Sequence, residues 1–306
     1  MKRWLGVLGL AAVVLWAGLY VRRFHNAQPI FAVRGTFTTV DDAKLYVVER
    51  GAGRPLLFLH GFPYRSESVL KLPASVFARH RVIAPDLPGL GLSDKRLEGA
   101  VTPGDLALTI KLLLDRRGLK DIDVLGHDLG GGVAMVLAAR YPNLVRRLVL
   151  LAPDCSAGRA GETYGPWWRW PVAGEAWAAL VLDRGHIRHL LRESWGGADD
   201  GWLHHVEAAF RPLQTLGGRR GFLSLHRGRM DFDYLTYEER LATPALIVWG
   251  ERDEVNPPEH GRELAAGLPG ARLEILPGIG HLLLEQAPQG VADLMLAFLD
   301  DGGKEP

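Results

Sequence analysis

The stretch that most constrains this chain is Asp123-Val124-Leu125-Gly126-His127-Asp128-Leu129-Gly130-Gly131. An apolar strand runs straight into Gly-x-Asp-x-Gly-Gly, and a helical pattern follows without an intervening loop. A strand–turn–helix junction this tight puts its middle residue on a sharp, strained turn at the strand end, the setting of a nucleophile elbow. Glycine suits positions 126 and 130 because backbone and neighbouring helix approach too closely there for a Cβ. The residue presented by the turn is Asp128, in the place of the more usual serine hydroxyl, and no Gly-x-Ser-x-Gly occurs elsewhere in the chain. A conventional serine esterase or lipase is thereby disfavoured.

Around this junction, short apolar runs recur at Pro55–Leu59, Arg81–Ala84, Ile122–Leu125, Leu148–Ala152, Ala245–Trp249 and Arg272–Leu276. Runs of this length suit strands buried on both faces, hence a mainly parallel sheet with helical crossovers. Thr36–Thr39 and Leu45–Val48 flank Asp41-Asp42 and read as a hairpin. The spacing predicts helices over Asp105–Leu114, Gly131–Arg140, Arg262–Gly267 and Val291–Leu299. The alternation stops between Ala152 and Ala245, a stretch containing six of the nine tryptophans, with helical segments and no strand signal. The expected organisation is α/β: a core over residues 30–154 and 241–304, with a helical cap over 155–240 inserted between two strands.

The first 25 residues form a separate element. Trp4–Val21 carries no charge and lies between Lys2-Arg3 and Arg22-Arg23. Spanning a bilayer takes about 20 apolar residues, with a lower limit near 17. A cleavable signal has a shorter apolar core and a small-x-small site, which Val21-Arg22-Arg23-Phe24-His25 lacks. The expectation is a single-pass N-terminal membrane anchor over residues 1–25, with its orientation undetermined because the flanking cations balance. Those cations aside, the chain is slightly acidic, with Lys+Arg 36 against Asp+Glu 35 overall, so no nucleic-acid partner is expected. The single cysteine, Cys155, allows no intramolecular disulfide and reads as a small buried hydrophobe.

Several motifs then fall in a telling order. His60-Gly61-Phe62-Pro63 follows the third strand, Asp86-Leu87-Pro88-Gly89-Leu90-Gly91-Leu92-Ser93-Asp94 follows the next, and Gly126–Gly131 follows the fifth. Gly250-Glu251-Arg252-Asp253 and Gly280-His281 close the series. From Thr36 to the C-terminus this resembles the α/β-hydrolase superfamily, in particular its aspartate-nucleophile branch of epoxide hydrolases, haloalkane dehalogenases and haloacetate dehalogenases. The resemblance implies Asp128 as nucleophile, Asp253 as acid and His281 as general base, with the Phe62 and Leu129 N–H groups as oxyanion hole. It implies no cofactor and no metal, and a small lipophilic electrophile and water as the reacting partners. A carboxylate is already ionised at neutral pH and attacks an sp³ carbon to give an alkyl ester, which His281 then hydrolyses by activating water. Asp154, just after the strand Leu148–Ala152, is an alternative acid position. His127 reads as a packed elbow residue, and His60 as an organiser of the oxyanion loop.

The leaving group separates the members of this branch. Relatives that open epoxides supply two cap tyrosines, whereas dehalogenases often carry Trp directly after the nucleophile and a polar residue in the oxyanion loop. Here Leu129 and Phe62 stand at those places, and Leu129 also replaces the Arg with which a haloacetate dehalogenase would hold a substrate carboxylate. His60-Gly61-Phe62-Pro63 fits the epoxide hydrolases. The cap offers Tyr164, Tyr234 and Tyr237, and His226 stands where the resemblance places the second tyrosine. An epoxide hydrolase is therefore expected, with a haloalkane or haloacid dehalogenase as the alternative. A non-catalytic member that binds a lipophilic ligand is the second alternative, and an ester- or lactone-directed enzyme using Asp128 is a further one.

Overall fold

The computed structural model describes residues 34–95, 99–155, 170–197, 199–230 and 232–301. The expected membrane anchor, Tyr164, Trp167 and Trp168 lie outside these residues. Among those described, no helix is long and apolar enough to cross a membrane.

Eight strands form one sheet: β1 (Thr36–Val40), β2 (Ala43–Arg50), β3 (Arg54–Leu59), β4 (His80–Pro85), β5 (Ile122–His127), β6 (Val145–Leu151), β7 (Ala245–Gly250) and β8 (Arg272–Leu276). Their order is β1-β2-β4-β3-β5-β6-β7-β8. The hairpin β1–β2 turns at Asp41-Asp42 and pairs Val40 with Ala43. β2 also runs antiparallel to β4, and every later pairing is parallel. The physical reason lies in the strand sequences. β5 and β7 are buried along their whole length, as strands covered on both faces by helices must be.

Helices α1 (Ala74–Arg79), α2 (Pro103–Arg116) and α3 (Leu129–Arg140) belong to the first half of the sheet, and α9 (Pro258–Gly267), α10 (Leu283–Gln286) and α11 (Pro288–Asp300) to its end. α2 starts on a capping box in which the Thr102 side chain accepts from the Asp105 N–H and Asp105 accepts from the Thr102 N–H. It turns Leu106, Ala107, Ile110, Leu113 and Leu114 inward. α3 is buried from Leu129 through Ala138. It begins two residues earlier than its periodicity suggests, because the turn at Asp128 feeds directly into it.

Between β6 and β7 every described regular element is helical. α4 (Pro171–Val181), α5 (Arg184–Ser194), α6 (Val206–Phe210), α7 (Leu216–Met230) and α8 (Leu235–Glu238) occupy this insert. Ala178, Leu182, Ile187, Leu191, Val206, Ala209, Phe222 and Leu223 form a second apolar cluster, distinct from the one around the sheet. Of the insert's described tryptophans, Trp177, Trp195 and Trp202 belong to that packing, whereas Trp170 is exposed. Trp177 stacks on Phe222, and Trp195 stacks on His205 while its indole N–H donates to Asp199.

Candidate active site

Asp128 sits at the junction of β5 and α3 with φ 49° and ψ −122°, a left-handed backbone that a non-glycine residue adopts at a cost of about 1–3 kcal/mol. The turn is held in place by close approach. A Cβ on Gly130 would lie 2.2 Å from the Leu59 carbonyl oxygen, so β3 can pass beside the turn only with glycine at that position. The Asp128 carbonyl accepts from the N–H groups of Gly131, Gly132 and Asp154.

The loop after β3 supplies a donor to the carboxylate. The Phe62 N–H donates to Asp128 Oδ2 at 2.9 Å. Gly61 allows this, since a Cβ there would lie 2.6 Å from Asp128 Cβ and 2.8 Å from Oδ2. The loop itself is anchored by His60, whose Nε2 accepts from the Leu87 N–H at 3.0 Å while Nδ1 donates to the Gly61 carbonyl. Buried Asp86 accepts from the Ser66 and Leu92 N–H groups and so ties the loops after β3 and β4 together. Leu129 opens α3, where the first N–H groups of a helix have no intrahelical acceptor.

His281 follows β8 and lies next to the end of β7. Its Nδ1 donates to Asp253 Oδ2 at 2.7 Å, and its Nε2 faces Asp128 Oδ1 at 3.7 Å. The remaining Asp253 oxygen accepts from the Val255 and Asn256 N–H groups at 3.0 and 2.8 Å. The backbone of His281 is gripped from both sides. Its N–H donates to the Ser194 carbonyl of the insert, and its carbonyl accepts from His127 Nε2 at 2.9 Å. His127 is thus a packed elbow residue, with burial and the neighbouring His281 lowering its pKa to about 4.

Electrostatics makes Asp128 and His281 an ion pair at rest. Burial works against the charge of His281, but the Asp253 and Asp128 carboxylates outweigh it and push the pKa up to about 10. Burial likewise opposes the charge of Asp128, yet the bond and charge of His281 hold its carboxyl well below the usual carboxylate range.

A cavity of about 390 Å³ opens over this pair, within the range of small-molecule sites. Asp128, Leu129 and His281 line it, as do Phe62, Phe222 and Leu225. His226 also lines it, neutral because burial and then the Arg229 and Arg227 charges lower its pKa to about 3. The described tyrosine candidates are not brought to it. Tyr234 packs on α3 at Gly132, where a Cβ would lie 2.8 Å from its hydroxyl oxygen, and is not among the lining residues. Tyr237 stacks on Phe232, and its hydroxyl accepts from Arg140. The alternative acid, Asp154, lines the cavity but pairs with Arg229 at 3.1 Å instead of with His281. Its place after β6 leaves β7 between it and the strand that delivers the histidine. Sequence reasoning missed Arg229, although it falls one helical turn beyond His226. Among the described residues, no group of three or more His, Cys, Asp or Glu side chains has an arrangement that could hold a metal. Burial raises the Cys155 thiol pKa well above its ordinary value, in keeping with an inert, packed cysteine.

The model of the alpha/beta hydrolase family matches residues 56–294, from β3 into α11. The chain belongs to that family. An uncharacterized protein of Mycobacterium tuberculosis is 32% identical over 91% of this chain and 85% of its own length. A soluble epoxide hydrolase of Corynebacterium sp. is 28% identical over 85% of this chain and 94% of its own. Among solved structures, a membrane phospholipase A described as a bacterial virulence factor superposes with a TM-score of 0.72 at 21% identity, covering 98% of each chain. At that identity it shows the shared fold. The protein is thus an alpha/beta hydrolase with a mostly parallel eight-stranded sheet flanked by helices.

Proposed function

We propose that this hydrolase opens lipophilic epoxides to vicinal diols through an ester on Asp128. The observation that carries the reading is the division of labour between the two oxygens of one carboxylate. Oδ2 is engaged by the Phe62 N–H, whereas Oδ1 points toward His281 and the cavity. An ionised carboxylate held this way has no proton to lose and one oxygen available for in-line attack on an sp³ carbon. The similarity to a soluble epoxide hydrolase supports the same reading.

Asp128 Oδ1 bonds to a ring carbon, the ring C–O bond breaks, and the electron pair stays on the departing oxygen. That oxygen takes up the proton that His281 releases once the negative charge beside it is gone. Neutral His281 then removes a proton from water, and the hydroxide adds to the Asp128 carbonyl carbon. The charge on Oδ2 is met by the N–H groups of Phe62 and Leu129. Collapse breaks the bond from that carbon to Oδ1, and the diol leaves with the proton of the acid. The carboxylate and the imidazolium are restored. Asp253 keeps His281 in the tautomer whose Nε2 faces the ester, and His226, a neutral imidazole in the cavity wall, donates an N–H to the departing oxygen.

The test is intact-mass spectrometry of His281→Gln incubated with panels of epoxides and haloalkanes. A stable gain equal to the whole epoxide, mapped to Asp128, is expected. A gain equal to a haloalkane less HX would move the protein to the dehalogenases, and no adduct from either panel would return the site to a ligand-binding or other role. Trp4–Val21 is proposed to anchor the chain in a membrane, which would suit lipophilic substrates. Release of the full chain from membranes by an alkaline wash would refute the anchor.

A further inference from the structure

The cavity face of α7 carries more chemistry than the epoxide reading uses. Phe222, Leu225, His226 and Arg229 all line the cavity, and their i, i+3, i+4, i+7 spacing makes them one face of one helix. That helix is fixed firmly to the core. A Cβ on Gly221 would lie 2.2 Å from the Gly89 carbonyl oxygen and one on Gly228 only 1.9 Å from that of Val101. Ser224 completes the docking, its hydroxyl donating to the Gly99 carbonyl and its own carbonyl accepting from the Val101 N–H. Side chains on the cavity face are therefore held at a set distance from the elbow.

Arg229 is oriented as well as placed. Its Nη1 donates to Asp154 Oδ2 at 3.1 Å, with the two side chains 19% and 7% exposed. The Asp154 N–H in turn donates to the Asp128 carbonyl at 2.9 Å. A cation in the cavity wall is thus fastened, through one carboxylate, to the backbone of the residue proposed to attack. A guanidinium presents five N–H donors in a rigid fork and keeps its charge at any working pH.

We propose that Arg229, positioned by Asp154, donates to the oxygen that departs when Asp128 attacks. This rests on the reading of Asp128 as the alkylated residue. As the Asp128 Oδ1–carbon bond forms and the carbon–oxygen bond breaks, negative charge grows on an oxygen facing the guanidinium. Arg229 gives up no proton, and the one that finally neutralises the alkoxide still comes from His281. A dipole or charge aimed at developing charge in a largely dry site is the most effective kind of stabilisation available to an enzyme. Holding a permanently anionic substrate is a poorer use of the same group, because Asp128, Asp154, Glu193 and Glu254 also line the cavity and would repel it.

The test uses the full chain carrying His281→Gln, in which the ester accumulates. Single-turnover alkylation is followed by mass with epoxides whose alkoxides span a graded range of basicity. Adding Arg229→Gln is expected to slow alkylation about 100-fold and to steepen its dependence on alkoxide basicity. Arg229→Lys, which keeps the charge, should recover part of the rate, and Asp154→Asn should lose less than Arg229→Gln with the same steepening. An unchanged rate and slope in Arg229→Gln would overturn this role while leaving the ester intact. So would a loss confined to KM for anionic epoxides. No adduct in the His281→Gln parent would instead overturn the ester, and this role with it. Circular dichroism separates a misfolded Arg229→Gln from a folded one, and the slope measured in Arg229→Lys then decides.

Discussion

His281 is held protonated by carboxylates on both sides, and an ester on Asp128 would remove one of them. Asp128→Asn imitates that loss of charge with nearly the same shape. The His281 Nε2 to Asp128 Oδ1 distance is 3.7 Å. At an effective dielectric of about 20, two unit charges that far apart attract by about 4.5 kcal/mol, equivalent to about three pH units. The imidazole, now at about 10, should therefore titrate near pH 7 in Asp128→Asn, roughly three units lower. Nitrogen-15 NMR of labelled histidine reads this directly, since at pH 8.5 the wild-type ring is protonated and the variant ring neutral. Titration of both proteins within about half a pH unit of each other would refute the claim that the Asp128 charge controls the proton on His281. A pKa raised from 6.5 to about 10 stabilises the fold fully below pH 6.5, and that contribution is lost as the pH rises through about 10. The difference in melting temperature between wild type and Asp128→Asn should accordingly shrink over that alkaline window.

Gly61→Ala places a Cβ 2.6 Å from Asp128 Cβ and should push the carboxylate off the Phe62 N–H. Turnover is expected to fall about 100-fold with the fold retained by circular dichroism, and wild-type turnover would show that this contact is dispensable. Asp253→Asn should leave the first alkylation fast while ester hydrolysis slows by roughly 10⁴, so that quenched samples carry the adduct. Equal slowing of both steps would contradict that division. Leu150→Ala empties a fully buried position on β6 and should cost about 2–5 kcal/mol in urea unfolding, with little effect on the alkylation rate of the protein that remains folded.

The sheet was readable in the sequence because β3 to β7 each contain a short apolar run buried in the sheet, a pattern few other architectures tolerate, while the edge strand β8, with Arg272 and Glu274, is only half-buried. The elbow was readable because Gly126, Asp128 and Gly130 meet a steric demand that permits few alternatives. The acid was harder. Asp154 and Asp253 follow the adjacent strands β6 and β7, and sequence spacing alone says nothing of which strand end lies closer to His281. The side-chain contacts decide it, since Asp253 accepts from His281 Nδ1 at 2.7 Å while Asp154 pairs with Arg229.

The insert was the least legible part, and for a physical reason. A tyrosine pattern says that a hydroxyl exists, but whether it reaches a cavity depends on how a helix docks, and docking here is set by small residues. Gly132 lets Tyr234 sink against α3, away from the cavity, whereas Gly221 and Gly228 bring α7 onto the core loops with His226 and Arg229 facing inward. The same contacts give Asp154 its place. Since β7 separates it from the strand that delivers His281, its side chain lies where α7 descends, and there it meets a guanidinium. Two acids at neighbouring strand ends thus orient two cations that line the same cavity as Asp128, His281 through Asp253 and Arg229 through Asp154. In the proposed mechanism one of these cations releases a proton when Asp128 loses its charge, and the other, a guanidinium, keeps its own. In the proposed epoxide opening, the site first stabilises an alkoxide and then generates a base, and it uses both kinds.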